Sequence, residues 1–263
     1  MLTRSQLDFY HLFGFLVTRQ VFSTEEMQAI IEEAEAVWQE DRDGRPDAGE
    51  HQWFPQFMER RPQLAQLAED DRIYTAIEQL LGPGSVWCGS EGHKGSFNEQ
   101  GAHFWHTDLP SQKALDYDRI KVMLYLRPTR QESGALRVIP GSHIPPLYDV
   151  LHPLNQQTET TCQEVLGIPG PDLPCYAVES EPGNVVFFNQ RLYHGVYGKQ
   201  PGRRYLCLKY ADRPVTESQI ALLRTGSVFT IHDTFRSSDR PRIRSMVDAL
   251  IEIERTERAA VSL

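Results

Sequence analysis

No run of about 18 apolar residues occurs in this 263-residue chain, so no membrane-spanning helix is expected. Cysteine is scarce. Cys88, Cys162, Cys175 and Cys207 form no Cys-x-x-Cys pair, which excludes a zinc knuckle and a disulfide frame and leaves isolated reduced thiols. Basic residues are outnumbered, 27 Lys and Arg against 36 Asp and Glu, and there is no basic stripe. A net charge of −9 argues against a nucleic-acid partner. Arg4, Asp8 and His11 stand where the apolar core of a signal peptide would lie, so a cytoplasmic protein is expected. Internal repeats and low-complexity tracts are missing too. Residues 1–263 therefore read as one domain, long enough for a sizeable core.

What is present falls into two parts. The first third is helical in pattern. Thr3 can cap a short helix over 3–12, and Gly14 to Val17 reads as a strand. Ser23 and Glu26 match a capping box, and Met27, Ile30, Ile31, Ala34 and Val37 follow at helical spacing. Residues 40–52 are polar and glycine-containing, and read as a loop. A helix from Tyr74 to Leu81 ends at Gly82-Pro83-Gly84. These helices span about 3–82.

From Val86 the pattern changes to short strands, at 86–90, 95–98, 103–108, 119–127, 135–139, 174–178, 184–188, 193–196 and 203–210. A last helix covers about 240–258. Strands at about 86–213 behind helices predict a mostly β fold with flanking helices: a double-stranded β-helix, or jelly-roll, barrel with an N-terminal helical region. The stretch 144–173 is long for a loop and is expected to be a substrate lid at the barrel mouth.

The chemistry is carried by His106-Thr107-Asp108 and the distant His194. Two imidazoles and a carboxylate can hold a mononuclear non-haem Fe(II) on one face, leaving the other open. In a strand, residues i and i+2 share a side, so His106 and Asp108 can converge on one ion. His194 follows the apolar run Val185 to Phe188. Beyond a polar turn, Arg203 and Arg204 lead into an apolar strand ending at Tyr210. An arginine there needs an anionic partner, which a dicarboxylate cosubstrate would supply.

These segments resemble the phytanoyl-CoA dioxygenase family of Fe(II)/2-oxoglutarate-dependent oxygenases. The resemblance rests on His106-Thr-Asp108, on Ser133-Gly-Ala-Leu-Arg-Val-Ile-Pro-Gly-Ser-His143, and on His194-Gly with Arg203 nine residues on. It runs from about residue 2 to about residue 213. It implies His106, Asp108 and His194 as iron ligands. It also implies an arginine anchoring the far carboxylate of 2-oxoglutarate. Counting back from Tyr210 favours Arg203, with Arg204 the fallback if the turn is one residue longer. Since adjacent strand residues face opposite ways, only one of the two can serve. The implied reaction consumes O2 and 2-oxoglutarate, releases succinate and CO2, and hydroxylates a small-molecule metabolite. Halogenases of this architecture carry a small residue where Asp108 stands, so hydroxylation or a related oxidation is expected. The acidic balance gives no support to an acyl-CoA substrate.

Other residues carry plainer expectations. His103 should face away from His106 across the strand, in a structural or substrate-side role. His143 reads as structural or as a support beside the metal ligands, and His11, His51, His93 and His232 as ordinary polar residues. Trp87, Phe104, Trp105 and Tyr193 are candidates for an apolar pocket floor, core packing being the competing use. Lys121 either assists the cosubstrate or lies on a solvated face. The competing functional readings are a non-catalytic jelly-roll ligand binder and a metal cupin enzyme needing no cosubstrate. Neither needs triad and arginine together. Monomer and homodimer are both open.

Overall fold

The structure is a computed structural model that describes residues 1–98, 101–109, 116–224 and 231–261. Its strands are β1 (Phe15–Thr18), β2 (Gln52–Pro55), β3 (Val86–Lys94), β4 (His103–His106), β5 (Arg119–Tyr125), β6 (Leu136–Val138), β7 (Tyr176–Val178), β8 (Val185–Asn189), β9 (His194–Val196) and β10 (Arg204–Ala211). Its α-helices are α1 (Arg4–Phe13), α2 (Thr24–Asp41), α3 (Pro62–Gln66), α4 (Asp71–Leu81), α5 (Leu147–Leu151), α6 (Thr161–Leu166), α7 (Glu217–Arg224), α8 (Asp233–Arg236) and α9 (Pro241–Val261). Among the described residues, no helix is long and apolar enough to cross a membrane.

The strands form two antiparallel sheets, in the order β1-β8-β5-β10-β3-β2 and β4-β9-β6-β7. This is the expected jelly roll. Alternation along each strand of the larger sheet sends residues to two cores. Val122, Phe187, Leu206 and Leu208 pack outward with Trp38 of α2, Ile77 of α4 and Met246 of α9. Met123, Phe188 and Cys207 face inward with Leu136, Val138 and Val196 of the smaller sheet. The helices therefore brace the back of the larger sheet, and its front becomes one wall of the barrel.

Local chemistry explains the helix ends. Thr3 and Ser23 both close capping boxes, with Gln6 and Glu26. Gly14 ends α1 at φ 81°, a left-handed conformation that glycine adopts without strain. Asp70 caps α4, which starts at Asp71, three residues before the expected start.

Several expectations need correction. Residues 95–98 form no strand, because β3 runs through to Lys94 and the chain then turns. β2 lies at the end of the polar stretch read as a loop and pairs with β3, Trp53 opposite His93. Helices α3, α7 and α8 were not foreseen. The 144–173 segment is folded, holding α5, α6 and short 3-10 turns around Leu173, Leu154 and Tyr148, which are buried.

Candidate metal centre

β4 and β9 are antiparallel neighbours, and their register sets His106 directly opposite His194. Asp108 follows two residues after His106. One nitrogen from each histidine and one carboxylate oxygen lie within 4.8 Å of one another. The His106 and His194 rings are 4.3 Å apart, and His194 Nε2 is 3.6 Å from Asp108 Oδ2. Distant segments thus converge because two short strands pair.

The backbone selects which nitrogen faces the centre. His106 Nδ1 lies 2.6 Å from the Phe104 carbonyl and His194 Nδ1 lies 2.8 Å from the Leu192 carbonyl. A carbonyl only accepts, so each Nδ1 carries the proton and each Nε2 keeps its lone pair for an ion. Burial, then the neighbouring His106, pushes the His194 pKa down to about 3, which keeps that imidazole neutral. Burial alone would raise the Asp108 carboxyl, but the Lys121 ammonium holds it well below the usual range. Lys121 Nζ donates to Asp108 Oδ1 at 2.9 Å. The other oxygen, Oδ2, is buried and has no hydrogen-bond partner among the described residues. A buried acceptor without a donor is costly, and here it points to the neighbouring imidazoles. Two free Nε2 atoms and a bare carboxylate oxygen fit a divalent cation that takes nitrogen and oxygen donors.

The side chains that brace the triad from behind come largely from 144–173. Asn155 Oδ1 accepts from Thr107 N at 2.9 Å and Thr107 Oγ1 at 3.2 Å, while its amide donates to Tyr193 Oη at 3.0 Å. Asn155 therefore ties the residue between His106 and Asp108 to the residue before His194. Trp105 Nε1 donates to Gly170 O at 2.7 Å and Tyr148 Oη to Leu109 O at 3.2 Å. The segment expected as a lid is a brace behind β4, and none of its residues lines the cavity in front. Asn155→Ala is expected to weaken metal binding by ~10–100-fold, as loss of outer-sphere support does; Co(II) titration would measure it.

That cavity, of about 320 Å³, is lined by the triad together with Lys121, Met123, Phe188 and Arg203. Arg203 is buried. Its Nε donates to Gly134 O at 2.8 Å, and its guanidinium stacks over Tyr205 at 4.6 Å. Gly134 sits at φ 84°, and a Cβ there would come within 3.3 Å of Arg203 Cδ. The glycine of Ser133-Gly-Ala-Leu-Arg is thus needed where Arg203 crosses. Arg204 goes to the other face of the sheet and pairs with Glu35 of α2 at 2.5 Å.

Comparison with known proteins gives the same answer as the geometry. A family model described as phytanoyl-CoA dioxygenase (PhyH) matches residues 10–200. The chain belongs to the phytanoyl-CoA dioxygenase family. Among curated proteins it is 25% identical to the ectoine dioxygenases of Bordetella parapertussis and Bordetella bronchiseptica over 219 residues, covering 74% of this chain and 70% of each relative. Among solved structures, HygX from Streptomyces hygroscopicus, with nickel and 2-oxoglutarate bound, superposes with a TM-score of 0.64 at 21% identity, over 82% of this chain and 89% of HygX. EctD from S. alaskensis superposes with a TM-score of 0.61 at 20% identity, over 81% of this chain and 78% of EctD. The protein is a dioxygenase whose cofactor set is Fe(II), 2-oxoglutarate and O2.

Within the family's barrel, other sequence expectations are redistributed. His103 was expected to face away from His106. A register shift between them in the β4–β9 ladder inserts one residue, so both line the cavity. His143 is structural as expected: it packs under Gly14, with Nε2 3.2 Å from the His11 carbonyl. The neighbouring Ser142 accepts from Tyr193 N at 2.9 Å. The Pro-Gly-Ser-His turn thereby fixes the residue that precedes His194.

None of the four aromatic candidates floors the cavity. Trp87 is in the outer core, donating to Glu59 at 2.8 Å. Trp105 and Tyr193 pack with the 144–173 segment, and Phe104 lines a separate groove. Lys121 is on no solvated face, since it is paired with Asp108 inside the cavity. His51, Trp53, Glu91 and His93 line the cavity and were not foreseen. The Glu91-x-His93 alternation signals one shared face, but only the pairing of β3 with β10 shows that this face is the inner one.

Proposed function

We propose that the protein hydroxylates an unactivated C–H bond of a small-molecule metabolite. One O2 and one 2-oxoglutarate are consumed. One oxygen atom enters the substrate and the other enters succinate, and CO2 is released. In this reading His106, Asp108 and His194 hold the iron, and Arg203 pairs with the distal carboxylate of 2-oxoglutarate. The carrying observation is that these four side chains line one cavity, with Arg203, the residue just before β10, turned into it and Arg204 turned to the helical side.

Bound iron would supply the activation of O2 that 2-oxoglutarate decarboxylation drives. The chain supplies placement. His106 and His194 present Nε2 because their Nδ1 protons are held by backbone carbonyls. Lys121 keeps Asp108 ionised and directs Oδ1 away from the ion, leaving Oδ2 free. Arg203 is buried on a tyrosine face, where a carboxylate partner is worth more than in water. Met123, Leu136, Phe188 and Val196 keep water from the space between them. Incubation of Fe(II)-loaded protein with 2-oxoglutarate and air, with and without candidate metabolites, is the test. Succinate release stimulated by a metabolite that gains one oxygen atom supports the reading. A protein that binds 2-oxoglutarate and iron but never forms succinate with any metabolite would speak for a ligand binder.

A further inference from the structure

A single row of rings crosses the inner face of the larger sheet. Register sets Trp53 of β2 opposite His93 of β3, His93 opposite Tyr205 of β10, and Tyr205 opposite Tyr125 of β5. The His93 and Tyr205 rings stack at 4.7 Å and 8°. Arg203 covers the two tyrosines, Tyr205 and Tyr125, at one end of this row. At the other end Trp53 is 47% exposed, although it lines the same cavity as residues that are almost fully buried. The row therefore leads from the cosubstrate anchor out to solvent. β2 is an edge strand of the larger sheet and β4 of the smaller, so the cavity is bounded on this side by two sheet edges.

The outer end has a distinct chemistry. His51 stands two residues before Trp53, and its Nε2 lies 2.9 Å from His93 Nε2. One ring donates and the other accepts, so the two rings form one hydrogen-bonding unit. His103 lines the cavity from β4. The cations among the cavity-lining residues are already committed: Lys121 pairs with Asp108, and Arg203 is the partner of 2-oxoglutarate. What remains at the outer end is an exposed indole face beside imidazoles that both donate and accept.

We infer that the His51–His93 pair and Trp53 form the seat of the primary substrate, and that this substrate is a hydroxyl-bearing saturated ring compound. Its C–H face lies on the indole, whose ring face is electron-rich. Its hydroxyls, each donor and acceptor, join the imidazole chain, where hydrogen bonds reinforce one another. Trp53 and His51 act as positioning residues. This rests on the cosubstrate reading above, which assigns the inner end of the row to 2-oxoglutarate.

Saturation-transfer NMR on full-length protein loaded with Zn(II) and 2-oxoglutarate tests it, with myo-inositol, phenol, choline and decanoate as separate probes. Transfer to myo-inositol is expected, at least about fivefold weaker in Trp53→Ala and His51→Ala and largely restored in Trp53→Phe. The signal of 2-oxoglutarate in the same tubes shows that each variant is folded. No transfer to myo-inositol, stronger transfer to phenol, choline or decanoate, or an inositol signal indifferent to both alanine variants would overturn the inference. Absence of the 2-oxoglutarate signal in the wild type would overturn the cosubstrate reading first, and this one with it.

Discussion

Asp108→Ala is expected to abolish succinate formation, with turnover falling by more than ~100-fold, because losing a donor exceeds the 10–100-fold cost of losing outer-sphere support. Asp108 is the only carboxylate of the cluster that can hold a metal among the described residues. Its removal also leaves Lys121 buried, with one of its two acidic neighbours gone and Glu91 remaining. An unbalanced buried charge is costly, so the variant should bind Co(II) or Fe(II) poorly as well as turn over slowly. Metal titration and a succinate assay on the same preparation check both parts. Wild-type turnover in this variant would remove Asp108 from the metal centre.

The second large effect separates two neighbouring arginines. Arg203→Ala is expected to raise KM for 2-oxoglutarate about 100-fold, since a charge-assisted pair worth about 3 kcal/mol corresponds to that factor. Arg204→Ala should leave that KM unchanged. Its pair with Glu35 is on the helical side of the sheet, where the side chains are 14% and 33% exposed, so the cost is to stability, about 1 kcal/mol after solvent screening. KM for 2-oxoglutarate and thermal midpoints for both variants suffice. A KM effect in Arg204→Ala equal to that in Arg203→Ala would contradict the assignment of faces.

How far the sequence alone reached depended on whether the information was local. His106 and Asp108 share a side by strand geometry, and Val185 to Phe188 announced the strand before His194. The convergence of those three residues was legible for that reason. The choice between Arg203 and Arg204 was half legible. Alternation says one faces inward, but which one depends on Glu35 of α2 taking the other. His103 was assigned the wrong side because alternation assumes an unbroken ladder, and the register shift in β4 is set by its pairing with β9. β2 was missed because four residues in a polar stretch form a strand only when β3 offers an edge. His51 and Trp53 were lost with it. The 144–173 segment was rightly placed near the site and wrongly made a lid. Asn155 looks like any loop asparagine until its bonds to Thr107 and Tyr193 are seen.

The most direct test of the account is an anaerobic titration of the Fe(II)-loaded protein with 2-oxoglutarate, followed by its visible charge-transfer absorption. The account predicts a saturable new band at one 2-oxoglutarate per protein, weakened in Arg203→Ala and absent in Asp108→Ala. A wild-type protein that holds iron but shows no spectral change with 2-oxoglutarate would contradict it.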